Sequence, residues 1–321
     1  MFAYFSSSVG ALFLHLATSN FLYTNGRVLG CSSITYGSVV NPNPFNLPVT
    51  LGIGAGALLV KQFLPQYVPN YGTVAAIAPF GAITPLIGGL LTGVGTKLGS
   101  GCTSGHMLCG LARGSVRSLV ASATFCTVAA ITSYLLHTAP DCGPVPCHTL
   151  VHPSQDEVTL LSSMTAIAIV TTVVLRQVLK PGSKVSQAIS SFYSGLLFAA
   201  GLLISGLANP ANTLGFLAMV PPKFNPSLFM VMIFGVLPNA VEILYRGYNL
   251  PQGAAVSEFS LPSSTKITPS LVLGSAIFGI GWGLSGICPG PGVVSAFLNG
   301  SQGLKWLGAF LGGYLVATNI S

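Results

Sequence analysis

The chain has 321 residues, of which 51% are hydrophobic and only 5% are charged, and its mean hydropathy is +0.74. Soluble proteins carry about a quarter charged residues, so the composition excludes a soluble globular protein and predicts an all-α integral membrane protein. The formal net charge of +7 comes from scattered lysines and arginines, without the clustering and interleaved aromatic residues of a nucleic-acid-binding surface. We therefore expect the lipid bilayer, and no nucleic acid, as a partner.

Long apolar segments follow one another from the first residues of the chain. A spanning helix needs roughly 20 apolar residues, which predicts about nine transmembrane helices. The expected spans are Ser8 to Tyr23, Val49 to Leu64, Val74 to Val94, Ser115 to Leu136, Val158 to Leu179, Ser190 to Ala208, Ser227 to Leu244, Pro269 to Ile287 and Gly303 to Thr318. No cationic region precedes the first segment, so we interpret it as a span and expect no cleaved signal.

The connections between spans predict the orientation. With the N-terminus outside, nine of the 12 lysines and arginines fall in inner connections, and cytoplasmic loops retain such an excess. We expect the N-terminus outside and the C-terminus in the cytoplasm, in a plasma or bacterial inner membrane. The acidic loop from His137 to Glu157 then lies outside, where Cys142 and Cys147 could form a disulfide if that space is oxidising. Glu242 lies near a span end and is expected to reach the interface.

Four connections are themselves rich in glycine and partly apolar, and we interpret them as re-entrant broken segments. They are Gly26 to Val39, Gly99 to Leu111, Asn209 to Met219 and Cys288 to Asn299. The first two open from the inside and the last two from the outside, which is typical of an inverted repeat with a binding site near the midplane. We expect one membrane domain, 1–321, with repeats at about 1–136 and 190–321 and a linking helix at about 158–179.

Three of these segments carry a cysteine that lies directly after a glycine or one residue beyond that position. Glycine lets a ligand approach the backbone, and a helix start offers free N–H groups to an anion. A thiol adds a soft, weak hydrogen-bond donor, which suits a small sulfur-containing anion better than a hard oxyanion. The candidate substrate-binding residues are Cys31, Cys102, Cys288, Gly30, Gly101, Thr103, Ser104, Gly105, His106, Ser285, Gly286, Pro289, Gly290 and Asn209.

Other interpretations of these residues remain open. A free cysteine is commonly a small buried hydrophobe, and Asn209 could cap a half-helix. Arg113 and Arg117 either attract anions at the inner mouth or only follow the positive-inside bias. Cys102, His106 and Cys109 have a metal-like spacing, but no fourth ligand lies nearby, so we expect no metal. No nucleotide-binding loop, catalytic triad or carboxylate pair is present, so we expect no catalytic residue, no cofactor and a transporter, not an enzyme.

Two motifs are specific enough to indicate a family. The segment Gly99 to Ser118 and the segment Gly281 to Pro291 resemble the YeeE/YedE-type sulfur transport family. The resemblance implies an hourglass-shaped thiosulfate importer, built from nine spans as an inverted repeat, in which three pore cysteines pass thiosulfate along by transient S–H to sulfur hydrogen bonds. By motif these are Cys102 and Cys288, and by a looser match Cys31.

The resemblance also implies a partner and leaves alternatives open. Members of the family often work with a small cytoplasmic sulfur-carrier protein, which we expect as a separate chain. Another small sulfur or selenium species could replace thiosulfate, because the motif selects softness and size. A membrane thiol enzyme or sulfurtransferase that uses Cys288 as its nucleophile is the alternative from another class.

Overall fold

The computed structural model describes residues 1–72, 78–250 and 254–320, and helices dominate all of them. Within these ranges there is no β-strand; one isolated bridge pairs Phe2 with Leu150. The helices are α1 Tyr4–Asn25, α2 Cys31–Val40, α3 Asn46–Phe63, α4 Thr84–Leu98, α5 Ser104–Leu111, α6 Val116–Leu135, α7 Gln155–Val178, α8 Lys184–Ile204, α9 Pro210–Leu217, α10 Ser227–Arg246, α11 Pro269–Ser285, α12 Pro289–Leu298 and α13 Gly300–Ile320. Short 3-10 turns lie at Pro65–Tyr67 and Gly81–Ile83.

A helix of 15 residues or more lies at each expected span. Five stretches among the described residues are long and apolar enough to cross a membrane, and they are Val116–Leu135, Gln155–Val178, Lys184–Ile204, Ser227–Arg246 and Pro269–Leu298. The last stretch runs across the break between α11 and α12. Residues 74–77 of the expected span Val74 to Val94 lie outside the described residues. Its described helix runs from Thr84 to Leu98, because Pro85 occupies the first turn and hydropathy alone does not register that start.

Local sequence explains where the helices begin and end. Ser115 and Ser154 cap α6 and α7, since their hydroxyls accept the backbone N–H of Ser118 and Glu157. Gly286 ends α11 in the left-handed conformation, with φ of 67°, which glycine adopts without a steric penalty. The chain therefore leaves α11 sharply, two residues before Cys288.

The long helices form two packed groups. In one group α1 packs on α8 and α10, and α8 also packs on α3; in the other α4 packs on α11 and α13, and α11 also packs on α6. Each of the short helices α2, α5, α9 and α12 contacts long helices. Helices α2, α9 and α12 contact members of both groups, and α5 contacts α6 of one group and α10 of the other. The broken segments therefore lie between the two groups, at the centre of the molecule.

Glycine allows the closest of these helix contacts. A Cβ atom added to Gly195 in α8 would lie 2.1 Å from the Val49 carbonyl oxygen of α3, and one added to Gly52 would lie 2.1 Å from the Phe192 carbonyl oxygen. Small residues at such positions let two backbones approach in a membrane. The α3–α8 contact is thus a backbone-to-backbone contact.

Gly195→Ala should destabilise the protein, because the new methyl group can fit only if α3 and α8 move apart. Overpacking of this kind costs about 1–3 kcal/mol, and the melting temperature of the detergent-solubilised protein should fall. Gly308→Ala is the matched control, since a Cβ at Gly308 meets nothing within 4 Å. Equal melting temperatures for the two variants would contradict the close packing.

Candidate functional site

The breaks bring the three cysteines of the sequence motifs to the centre. Cys31 is the first residue of α2, Cys102 lies just before α5, and Cys288 directly precedes α12. All three are buried: Cys31 and Cys102 are 0% exposed and Cys288 is 9% exposed. They are free thiols.

One short stretch of chain, Cys102 to Ser104, connects the three cysteines. The backbone N–H of Cys31 donates to Ser104 Oγ at 3.0 Å, and Ser104 Oγ lies 3.3 Å from Cys102 Sγ. On the other side, Thr103 Oγ1 donates to Cys288 Sγ at 3.2 Å. The thiols of Cys102 and Cys288 therefore contact hydroxyls of this stretch, and Cys31 is held to it by its backbone N–H.

Small residues hold the broken segments against one another. A Cβ atom on Gly290 would lie 3.6 Å from Cys31 Sγ, and one on Gly105 would lie 3.9 Å from Gly30 Cα. The Cys31 thiol thus lies against the first turn of α12. The N-terminal ends of α2 and α12, which carry positive partial charge, meet beside the thiols.

Ser285, Gly286 and Pro289 shape the break before α12. Ser285 Oγ donates to the Gly281 carbonyl at 2.8 Å and accepts the Ile287 N–H at 3.3 Å. Pro289 occupies the first helical position, where the missing N–H leaves no hydrogen bond unmade. Among the predicted site residues, these three form the turn that presents Cys288.

His106 and Gly101 lie in close contact at the start of α5. His106 Nε2 lies 3.0 Å from the Gly99 carbonyl and Nδ1 lies 3.0 Å from Ser118 Oγ. A carbonyl only accepts, so Nε2 carries the proton and Nδ1 accepts from Ser118 in a neutral ring. A Cβ on Gly101 would lie 2.8 Å from Nε2. Both nitrogens of the buried ring are engaged, and no group of three metal-ligating side chains occurs in the described part of the chain.

Asn209 lies away from the cysteines. Its Oδ1 accepts the Ala211 N–H at 3.0 Å and caps α9. It lines a cavity of about 260 Å³ that also contains Met1, Glu157 and Ser227. This predicted site residue therefore lines a cavity that none of the three cysteines lines.

A basic vestibule of about 400 Å³ lies on one side of the thiols and reaches Gly30, Gly101, Gly105 and His106. We define it by its four cationic residues, which are Arg27, Lys97, Arg113 and Arg117. No carboxylate is among its described lining residues, and none of the four cations makes an ion pair within the described part of the chain. Arg113 donates to the Pro262 carbonyl at 2.9 Å.

Of these four cations, the sequence indicates anion attraction only for Arg113 and Arg117. It relates Arg27 and Lys97 to the orientation of the chain alone. The missed signal is their place beside the breaks, since Arg27 follows Gly26 and Lys97 precedes Gly99 by two residues. Cations that flank a break in the chain thus line the opening beside that break.

An apolar cavity of about 100 Å³ lies on the other side of the thiols. Thr103, Ser104, Cys288 and Gly290 form its polar end, and the rest of the wall is mostly aliphatic and aromatic. Cys288 therefore borders the apolar cavity, and Gly30 and Gly101, next to Cys31 and Cys102, border the basic vestibule.

The acidic loop lies at the opposite end of α1 and α6 from the vestibule. Cys142 and Cys147 form a disulfide in this loop. The amino group of Met1 lies 3.6 Å from Cys142 Sγ, and the Asp141 carboxylate lies 3.2 Å from Lys223 Nζ. The N-terminus and the disulfide therefore share one end of the molecule.

The apolar helices and their broken centre define the chain as an integral membrane protein. The sequence profile of the sulphur transport family matches residues 49–220, which is more than half of the chain, so the chain belongs to that family. A second profile, of a family of unknown function, matches residues 186–320.

Curated relatives of the chain are named as probable transporters. A probable transporter of Xylella fastidiosa strain Temecula1 is 40% identical over 126 residues, which are 39% of this chain and 89% of the relative. A second probable transporter of that strain is 37% identical over 131 residues, 40% of this chain and 85% of the relative. These relatives are much shorter than the chain and match one part of it.

We expect the protein isolated without reductant to react with five maleimide groups when denatured, and with seven after reduction. The five free cysteines and the disulfide account for all seven cysteines of the chain. Intact-mass spectrometry measures both numbers, and Cys142→Ser with Cys147→Ser is the control that should give five in both states. Seven modified thiols before reduction would contradict the disulfide.

Proposed function

We propose that the protein imports thiosulfate through a pathway in which Cys31, Cys102 and Cys288 pass the ion along by transient S–H to sulfur hydrogen bonds. One observation carries this proposal: Thr103 and Ser104 join three buried cysteines, Cys288 borders an apolar cavity, and glycines next to Cys31 and Cys102 border a basic vestibule. The membership of the chain in the sulphur transport family supports a sulfur-containing substrate.

The physical problem is desolvation of a divalent anion. Removing such an ion from water without compensation costs on the order of tens of kcal/mol. Thiols, the hydroxyls of Thr103 and Ser104 and the helix starts of α2 and α12 offer donors without a fixed cation. Weak sites in sequence let an ion enter and leave again. A thiolate would repel the ion, so the thiols act in the protonated form.

The proposed architecture is an hourglass of nine spans with two inverted repeats, 1–136 and 190–321, joined by the helix at 158–179. Its support is a paired set of contacts. If α1 is exchanged with α8, α3 with α10, α4 with α11 and α6 with α13, the α3–α8 contact becomes α1–α10. The α4–α13 contact likewise becomes α6–α11. Relatives that match only about two fifths of the chain also fit a two-part organisation.

We place the basic vestibule in the cytoplasm and the N-terminus with the disulfide loop outside, in a plasma or inner membrane. Cytoplasmic ends retain cations, and disulfides persist in oxidising spaces. A separate cytoplasmic sulfur-carrier protein would receive the ion at the vestibule. The protein acts as a transporter and not as an enzyme.

Cys102→Ala and Cys288→Ala should each abolish most thiosulfate uptake into proteoliposomes that contain the purified protein. Loss of a donor to a buried ion costs about 1–3 kcal/mol, which slows transport roughly 5- to 150-fold. Cys126→Ala is the matched control. Cys126 is a free cysteine within α6 and is not part of the thiol centre, which consists of Cys31, Cys102 and Cys288. Wild-type rates in both test variants would remove the thiols from the mechanism.

The same assay separates the alternative functions. Stronger transport of sulfite, sulfide or selenite than of thiosulfate would change the substrate and leave the pathway. A persulfide on Cys288, detected by mass spectrometry during turnover, would instead favour a sulfurtransferase. Uptake by purified protein without a covalent adduct supports the transporter.

Arg113→Gln and Lys97→Gln should raise the KM for thiosulfate that enters from the vestibule side about two- to fivefold, as expected for partly solvated charges, with little change in kcat. Added salt should shrink the difference, because it screens the vestibule. Lys61→Gln, which removes an exposed cation at the end of α3, is the control. A KM that is unchanged at low salt in both variants would contradict an anion-attracting vestibule.

A further inference from the structure

A network of polar and charged side chains lies inside the helix bundle, apart from the thiols. It joins α1, α7 and α10 through His15, Thr18, Ser19, Arg176, Asn239, Glu242 and Arg246. The side chains of His15, Glu242 and Arg176 are only 17%, 16% and 14% exposed. Ionisable residues within spans are costly and by default indicate function.

Glu242 is the centre of this network. Arg246 Nε lies 3.1 Å from its carboxylate and Arg176 Nη1 lies 3.5 Å from it. Ser19 Oγ donates to the carboxylate and accepts from Arg176 Nη2 at 2.9 Å. Two arginines and a hydroxyl therefore surround the Glu242 carboxylate with hydrogen-bond donors.

Asn239 determines which nitrogen of His15 can accept a proton. Its Nδ2 donates to the Leu108 carbonyl at 3.0 Å and to Thr18 Oγ1 at 2.9 Å, so its Oδ1 is the atom that lies 2.8 Å from His15 Nδ1. An amide oxygen only accepts, so Nδ1 carries the proton of the neutral ring. The lone pair is then on Nε2, which lies 3.9 Å from the Glu242 carboxylate.

Asn239 also connects this histidine to the thiol centre. Leu108 belongs to α5, the π-helix that begins with Ser104, and Ser104 contacts both Cys31 and Cys102. A Cβ on Gly235 would lie 3.1 Å from the Leu108 side chain, and Gly235 lies in the π-helical turn Met232–Val236 of α10. Such turns are frequent at functional sites.

We propose that His15 Nε2 binds and releases a proton during each transport cycle, and that Asn239 transmits its charge state to α5 and the thiols. The proton forms an N–H bond with the Nε2 lone pair and leaves by the same bond, opposite the Glu242 carboxylate. An inward proton would carry positive charge with the anion, whose entry an inside-negative potential opposes. The choice of solute, though not the proton site, rests on the proposed function.

The surroundings of His15 favour a single titrating group. From α7 the facing charge is Arg176, and from α10 the facing charges are Glu242 and, one turn away, Arg246. On α1 itself the titratable neighbour is Tyr23, which donates to the Gly247 carbonyl. Helix α8 presents the hydroxyls of Ser190 and Ser194 to Asn20 of α1, and α5 presents the Leu108 carbonyl.

Proteoliposomes test the coupling, with a pH dye inside and the membrane potential clamped by potassium and valinomycin. In wild type, thiosulfate entry should acidify the lumen. Each coupled proton should raise accumulation about tenfold per pH unit of inward gradient. His15→Gln should keep downhill uptake but lose both responses, whereas His152→Gln, in the exposed outer loop, should keep them. Uptake by wild type without acidification, or an unchanged gradient response in His15→Gln, would overturn the proposal.

A second measurement needs no thiosulfate and guards against a misfolded variant. Deuterium exchange at the imidazole C2 position, followed by mass spectrometry, reports the protonation of each histidine separately. His15 should titrate with a midpoint that changes in Glu242→Gln and Asn239→Leu, while that of His152 stays constant. If wild type transports no thiosulfate but this dependence is found, the proposed function fails and the proton site stands. If thiosulfate is transported and neither substitution moves the His15 midpoint, the proton site fails alone.

Discussion

The structure depends on hydrogen bonding of backbone that is not helical at membrane depth. Lipid offers no partner to such groups, so they must be satisfied inside the protein. Ser104 Oγ accepts the Cys31 N–H, Ser285 Oγ accepts the Ile287 N–H, and Asn209 Oδ1 accepts the Ala211 N–H. His106 Nε2 donates to the Gly99 carbonyl. Once these groups are paired, the thiols are the soft side chains left facing one another at the centre.

The same constraint explains the density of small residues. The short helices fit between the two groups of long helices only if the long helices pack tightly around them. Glycines such as Gly195 and Gly52 bring α3 and α8 into backbone contact. The close packing also fixes the separation of Cys31 from the first turn of α12. A methyl group added at a helix contact should therefore also change the positions of the thiols.

Much of this organisation can be predicted from the sequence, because hydropathy and glycine breaks are local signals. They located the long helices and the segments that carry Cys31, Cys102 and Cys288. Partners distant in sequence could not be predicted. His106 was a candidate ligand, but its role in the break depends on Gly99 and Ser118. Glu242 was expected at the interface, and it lies in a network with Arg176 and His15 of other helices. The start of α4 differs for a local reason, a proline that hydropathy scales do not register.

The distribution of charge limits what the pathway can do by itself. Fixed cations such as Arg27 and Arg113 attract an anion equally from either direction, so they lower its energy at one end without driving net import. An inside-negative potential opposes entry by about 2.3 kcal/mol per charge per 100 mV, or roughly 5 kcal/mol for a divalent ion. Uncharged thiols add selectivity for soft ions but no direction. In the proposed import, net uptake must therefore come from removal of the ion at the vestibule or from a cation that enters with it. Within the described spans, His15, Arg176 and Glu242 form a network that reaches α5 through Asn239, which accepts from His15 Nδ1 and donates to the Leu108 carbonyl.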